Sequence, residues 1–135
     1  MQEDIIQQLK TLISAVGSVQ IVYDSIPDQF SKYPAVVIMP GNWEDSYLNM
    51  GTKKRTYRFT ITVYGNLQDT NVNTQKTIRA IVDGILDVLD SSTNLTLAGK
   101  IDFPISASGS YSFDNNLKQY LGTINLAVTV QKSMS

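Results

Sequence analysis

The run from Tyr120 to Gln131, YLGTINLAVTVQ, carries the longest alternation in the chain. Tyr120, Gly122, Ile124, Leu126, Val128 and Val130 share one parity, and Leu121, Thr123, Asn125, Ala127, Thr129 and Gln131 share the other. Successive side chains of a strand point to opposite faces, so this period of two predicts a strand with one buried and one wetter face. At ~3.3 Å per residue it would exceed ~30 Å, which is long for a strand. A second stretch, KKRTYRFTITVYG from Lys53 to Gly65, sets Tyr57, Phe59, Ile61 and Val63 against Thr56, Arg58, Thr60 and Thr62 in the same way. Two long half-buried strands require an apolar cover on one face only.

Two amphipathic helices can supply that cover. From Asp4 to Val16, Ile5, Ile6, Leu9, Leu12, Ile13 and Val16 fall on one helical stripe. Glu3 and Asp4 sit in the first turn, where the helix dipole favours negative charge, and Gly17 is expected to end the helix as a left-handed cap. A second helix is predicted from about Val72 to Leu89, with Ile78, Ile81, Val82, Ile85, Leu86 and Leu89 on one side and Lys76, Arg79, Asp83 and Asp87 on the other. Asn71 or Asn73 is its expected N-cap.

Shorter strands fill the gaps. Val19–Tyr23 and the buried run Ala35–Met39 read as strands, the second bounded by Pro34 and Pro40. Antiparallel pairing of Ala35–Met39 with Arg55–Tyr64 is the economical arrangement. Between them, Gly41–Lys54 is a long loop or a ragged hairpin arm turning at Asn49-Met50-Gly51. Leu95–Ser108 has strand character broken by Gly99 and Pro104, so it is expected at an edge or with a bulge. Asp114-Asn115-Asn116 is a turn signal before the last strand. The expectation is one α+β domain over residues 1–135. It has a mainly antiparallel sheet of four to six strands, two helices on one face, and the Thr-rich faces around Thr60 and Thr129 looking outward together.

Composition narrows the function. With 135 residues the chain is the size of one domain, long enough to need neither disulfide nor metal to hold a core. Charged residues make up 17%, below the usual ~25% of a soluble domain, which fits a surface covered by neighbouring subunits. A net charge of −1 excludes the strong positive excess of a nucleic-acid-binding domain. Cys and His are both absent. Disulfides, thiolate metal sites, cysteine nucleophiles and the commonest general base are therefore excluded, and a reducing compartment fits. MQEDIIQQLK is acidic at once and unlike a signal peptide, and no apolar run approaches the ~20 residues needed to cross a bilayer. A soluble protein made in the cytoplasm is expected, so the sequon Asn94-Leu95-Thr96 carries no weight.

Signals for chemistry are weak. A serine triad has no histidine base, and no spacing pairs a serine with a lysine. Asp83, Asp87 and Asp90 share one side of the second helix and could hold a metal or proton between them, but the plainer reading is a solvated outer face. No glycines have phosphate-loop spacing. No catalytic residue, cofactor or metal is expected, and the chain is read as a non-enzyme.

Two surface clusters remain. Trp43, Glu44, Asp45 and Tyr47 group aromatics with acids in one segment, where they mark a contact surface or Trp43 folds back onto the core. Lys53, Lys54 and Arg55, with Arg58 beyond, form the chain's one basic cluster, read as a solvated hairpin tip or a protein contact rather than a grip on DNA. These eight residues are the candidate partner interface.

In order, the amphipathic N-terminal helix, YPAVVIMPG, RTYRFTITVYG, QKTIRAIVDGILDVLD and LKQYLGTINLAVTVQ resemble the tail terminator (tail completion) proteins of long-tailed bacteriophages and their minor-tail relatives. The resemblance spans nearly the whole chain. It implies an α+β subunit of a ring, typically a hexamer, at the head-proximal end of the tail tube. Such a ring stops tube polymerisation and presents a surface to the head-side connector, while DNA passes through its hole. The implied partners are copies of the chain itself, the tail tube protein and the head–tail connector protein, with no membrane. The implied location is the virion tail or neck, assembled in the host bacterial cytoplasm. On this reading the Thr/Arg face of Lys53–Gly65 meets a neighbouring subunit or ring, with Lys53–Arg55 and Trp43–Tyr47 at its margins. A near-neutral chain also suits a conduit, because a basic lining would retain phosphates. The competing readings are another neck or head-completion connector protein, a small carboxylate hydrolase, and a monomeric binding module.

Overall fold

In a computed structural model, the chain is described over residues 2–65, 72–90, 105–114 and 119–133. Helix α1 (Gln2–Ser14) is followed by strands β1 (Ile21–Tyr23), β2 (Ala35–Tyr47) and β3 (Thr52–Tyr64). Helix α2 (Val72–Asp90) and strands β4 (Ser106–Asp114) and β5 (Gln119–Ser133) complete it. The five strands form one sheet in the order β1-β2-β3-β5-β4. The short β1 runs parallel to β2, and every other pairing is antiparallel. This is the expected α+β class, with β1 and β4 at the edges.

Register explains the single core. Phe59 pairs with Leu126, Ile61 with Ile124 and Tyr57 with Val128, so the apolar parities of the two long strands share a face. Over that face α2 lies on β3 and β5, and α1 lies beside α2 and over β1. Ile5, Ile6, Leu9 and Ile13 of α1 and Ile78, Ile81, Ile85 and Leu89 of α2 are buried against the strands. Each such side chain contributes roughly 1.5–3 kcal/mol. Two glycines set the closeness of this packing. A Cβ on Gly122 would stand 2.7 Å from Val82 Cγ2, and one on Gly84 would stand 2.8 Å from Val16 Cγ1. The missing side chains let α2 seat on β5 and the end of α1 approach α2.

Local details differ from the sequence expectation in several places. The left-handed residue after α1 is Ser18, at φ 72°, and not Gly17. Ala15 and Val16 donate to Leu12 O and Ile13 O at 3.3 and 3.0 Å, tightening the helix end and carrying the chain past Gly17 before it reverses. Helix α2 begins at Val72, so Asn73 lies inside it and is not its cap. Asn71, the segment 91–104 with Asn94, Gly99 and Pro104, and Asn115-Asn116 lie outside the described residues.

Strand β2 does not stop at Met39. It continues through Pro40 to Tyr47, and β3 begins at Thr52 rather than Arg55, so Gly41–Lys54 is a hairpin arm. Its turn is closed by Leu48 N and Asn49 N donating to Thr52 O at 3.0 and 3.2 Å, and Asn49 Oδ1 accepts from Gly51 N at 2.8 Å. Pro40 is tolerated because a bulge follows it: Pro40 pairs with Phe59 but Trp43 pairs with Tyr57, leaving Gly41 and Asn42 opposite Arg58 alone. The extra residue shifts the parity of β2. Val36 and Ile38 face the helices on one side of the bulge; Trp43, Asp45 and Tyr47 take that face on the other.

The outer face is the hydrophilic surface the alternation predicts. Thr56 and Thr129 hydroxyls lie 3.1 Å apart, and Thr60 pairs with Asn125. At one end this face is covered by the chain itself. The ring of Phe30 meets Tyr64, Tyr33 and Tyr23 at centroid distances of 4.9, 5.5 and 5.6 Å. Ala35, which pairs with Tyr64, and Val37 are buried on this side. The first half of β2 is thus buried on both faces, which is why AVVI reads as continuously apolar.

Candidate interface on the arm

The turn-proximal halves of β2 and β3, with the end of β5 alongside, extend beyond the helices. Between Gly41 and Thr56, and along β5 from Thr129 to Lys132, Val130 is the sole buried residue. The arm carries a different ladder on each face.

On the helix side, Asp45 pairs directly with Arg55, and Tyr47 pairs with Lys53. Asp45 Oδ1 accepts from Arg55 Nε at 2.7 Å, and Oδ2 accepts from Arg55 Nη2 at 3.1 Å and from Lys53 Nζ at 2.9 Å. The fork geometry of guanidinium on carboxylate is the strong form of this contact. Each cation also lies against a ring: Arg55 is 5.0 Å from the Trp43 centroid and Lys53 is 5.6 Å from that of Tyr47. The hydrogen bonds from Arg55, then from Lys53, hold the Asp45 carboxyl well below the usual carboxylate range. The bond to Asp45, then one to Tyr57, raises the Arg55 guanidinium. An acid clamped between two cations, each lying against an aromatic ring, ties β2 to β3 along this ladder and compensates the Asp45 charge.

On the outer face, Arg58 Nη2 donates to Glu44 Oε1 at 2.5 Å, and both side chains are exposed. Lys54 and Thr56 share this side.

The eight expected interface residues are therefore brought onto one arm but not onto one surface. Trp43, Asp45, Tyr47, Lys53 and Arg55 line the helix-side ladder; Glu44, Lys54 and Arg58 belong to the outer, Thr-rich face. This corrects the expectation that all eight border one Thr/Arg surface. Pleating separates neighbours in sequence, and the bulge decides which parity goes where. Trp43 does not fold back onto the core, being 58% exposed. The chain's single tryptophan thus stands on the arm.

Three features escaped the sequence reading. Leu48 and Met50 cap the arm, with Met50 98% exposed; an apolar residue inside an Asn-x-Gly turn was the available signal. A groove opens between α2 and β4, lined by Val82, Leu86, Ala107, Tyr111 and Ile124, with Asp83 among its walls. Gln119 is buried, its amide donating to Gly65 O at 2.9 Å. Among the described residues no three acidic side chains gather as a metal-ligand set. Asp83, Asp87 and Asp90 stand exposed along α2. No described helix is long and apolar enough to cross a membrane.

Fold and surface together define a two-layer α+β domain with helices on one sheet face, an open polar face on the other, and a projecting hairpin. A solved structure has this architecture over almost its full length: a chain of the virion of a native gene transfer agent particle superposes with a TM-score of 0.63. The match covers 98% of this chain and 95% of that one, at 16% sequence identity. No protein-family profile matches the sequence, and no curated protein matches it.

Proposed function

We propose that the chain is a structural protein of a tailed, phage-like virion, and more narrowly a tail terminator. In this role it forms a ring, typically of six copies, at the head-proximal end of the tail tube. The ring ends tube polymerisation, joins the tail to the head-side connector and lets DNA through without binding it specifically. The observation that carries the reading is the near-complete two-way coverage of a virion chain by this fold. The open polar sheet face and the projecting arm support it, because a subunit in a ring must offer two different surfaces to its two neighbours. The reading assigns no catalysis, cofactor or metal to the chain. The alternative within the same class is another neck or head-completion connector protein, which shares size and composition.

Electron microscopy of the purified protein mixed with tail tubes separates these. A terminator decorates one end of each tube with a ring and prevents further growth when tube protein is added. Binding to head connectors alone, with tubes left bare and able to grow, rejects the terminator reading in favour of the connector one.

A further inference from the structure

We propose that the tip of the β2–β3 arm seats in the groove between α2 and β4 of the next copy of this chain. The inference rests on the ring reading and names the contact that would close the ring.

The tip is an apolar end on a hydrogen-bonded two-stranded stem. Met50 is 98% exposed, Leu48 49% and Tyr47 65%, and Lys53 and Lys54 follow after Gly51 and Thr52. Isolated apolar residues on a surface are ordinary, but several gathered at the end of a projecting hairpin mark a contact. The groove offers the complement. Val82, Leu86, Ala107 and Tyr111 provide an apolar floor and wall, and Asp83 stands at it. Asp87 follows one helical turn later on the same side, with Arg79 one turn before. With Glu44 and Asp45 set against Lys53, Lys54, Arg55 and Arg58, the arm keeps an excess of two positive charges, and with Arg79 set against Asp83 and Asp87, the helix beside the groove keeps an excess of one negative charge.

The tip of a chain does not reach its own groove. Tyr47 is level with Lys53 and Lys132, while the groove lies level with Gly109 and Ile124. Those levels are roughly 26 Å apart along β5 at ~3.3 Å per residue. The β4 wall of the groove also lies three strands across the sheet from β2, beyond β3 and β5. A second copy supplies the occupant. Tip and groove are different surfaces of one subunit, so the contact repeats head to tail and is completed by closure of a ring. A hairpin end in a groove buries less than the ~800 Å² per partner of a stable binary interface, which makes isolated dimers weak and the closed ring the favoured product.

The absence of native cysteine makes the test direct. Met50→Cys and Ala107→Cys chains, one carrying a size tag, are mixed with tail tubes or at high concentration and oxidised. Both positions are exposed, so folding is preserved. The expected result is a mixed disulfide several-fold more abundant than either homodimer, with the double variant giving a ladder that stops at the ring. Tyr111→Cys in place of Ala107→Cys should behave alike, whereas Asn125→Cys, on the outer face, should not couple to Met50→Cys. Rings by light scattering without the mixed disulfide overturn the contact and leave the ring reading standing. Monomeric mass under all conditions, tubes included, overturns both. An Ala107→Cys thiol that resists maleimide in dilute monomer means that the chain covers its own groove, which also rejects the contact.

Discussion

Gln119 is the only buried polar side chain among the described residues, and it ties three segments together. Its amide donates to Gly65 O, Gly65 N donates to Tyr120 O at 3.1 Å, and Tyr33 also hydrogen-bonds to it. Gln119→Leu keeps the volume but leaves the Gly65 carbonyl without its partner. A loss of about 1–3 kcal/mol in urea unfolding is expected, with an unchanged m-value. Asp45 makes a different prediction. Its carboxyl is depressed from an ordinary value of 3.8, so whatever stability it contributes is complete above that value and is lost only as pH falls through the lower folded value. Trp43 reports on this, because Arg55 bridges it to Asp45. Its emission should hold constant from neutral pH down through 3.8 and change only below, while Asp45→Asn should change it already at neutral pH. A midpoint at the ordinary carboxylate value would show that the clamp does not form. Neither residue was legible in full from the sequence. Gln119 sits in a polar-looking turn, and adjacency in sequence groups Asp45 with Glu44, although pleating sends them to opposite faces.

The elements themselves were legible wherever apolar spacing had one consistent period. Phe59, Ile61 and Val63, and Ile124, Leu126 and Val128, predicted the paired faces of β3 and β5, and Ile78 to Leu89 predicted the buried side of α2. The bulge was not legible. A two-for-one mismatch belongs to a pair of strands, and Gly41-Asn42 reads equally well as a loop until Arg58 is set opposite. The same holds for close approach: the sequence places Gly122 on the buried parity but cannot show that Val82 stands over it. Gly122→Val inserts a branched side chain where even a Cβ stands 2.7 Å from Val82 Cγ2. The helix must lift from β5, and a loss of about 1–3 kcal/mol in thermal or urea unfolding is expected. The double variant Gly122→Val, Val82→Ala should recover part of it.

For the whole molecule, the one-sided core leaves a broad hydrophilic sheet face that no described element covers beyond the Phe30 cluster. Alternation alone announced that face; nothing in a single sequence announces what docks on it. Arg58 stands there, paired with Glu44. On the ring reading Arg58→Glu sets two carboxylates side by side on the docking surface. The variant should unfold at nearly the wild-type denaturant concentration, because exposed ion pairs contribute little, yet sediment as smaller species than wild type under assembling conditions. Unchanged sedimentation would remove the outer face from the contact and leave the helix-side ladder and tip as the surfaces to pursue.

An arm with unlike sides has a quantised length. A single residue added to or taken from β2 between the bulge and the turn would carry Asp45 across the sheet, away from Arg55, and bring Glu44 round in its place. Growth by whole pleats, two residues in each strand, keeps every side chain on its own surface and moves the tip outward by about 6–7 Å a step. On the ring reading, reach can therefore be adjusted to a wider or narrower ring without redesigning either face, but only in increments of that size.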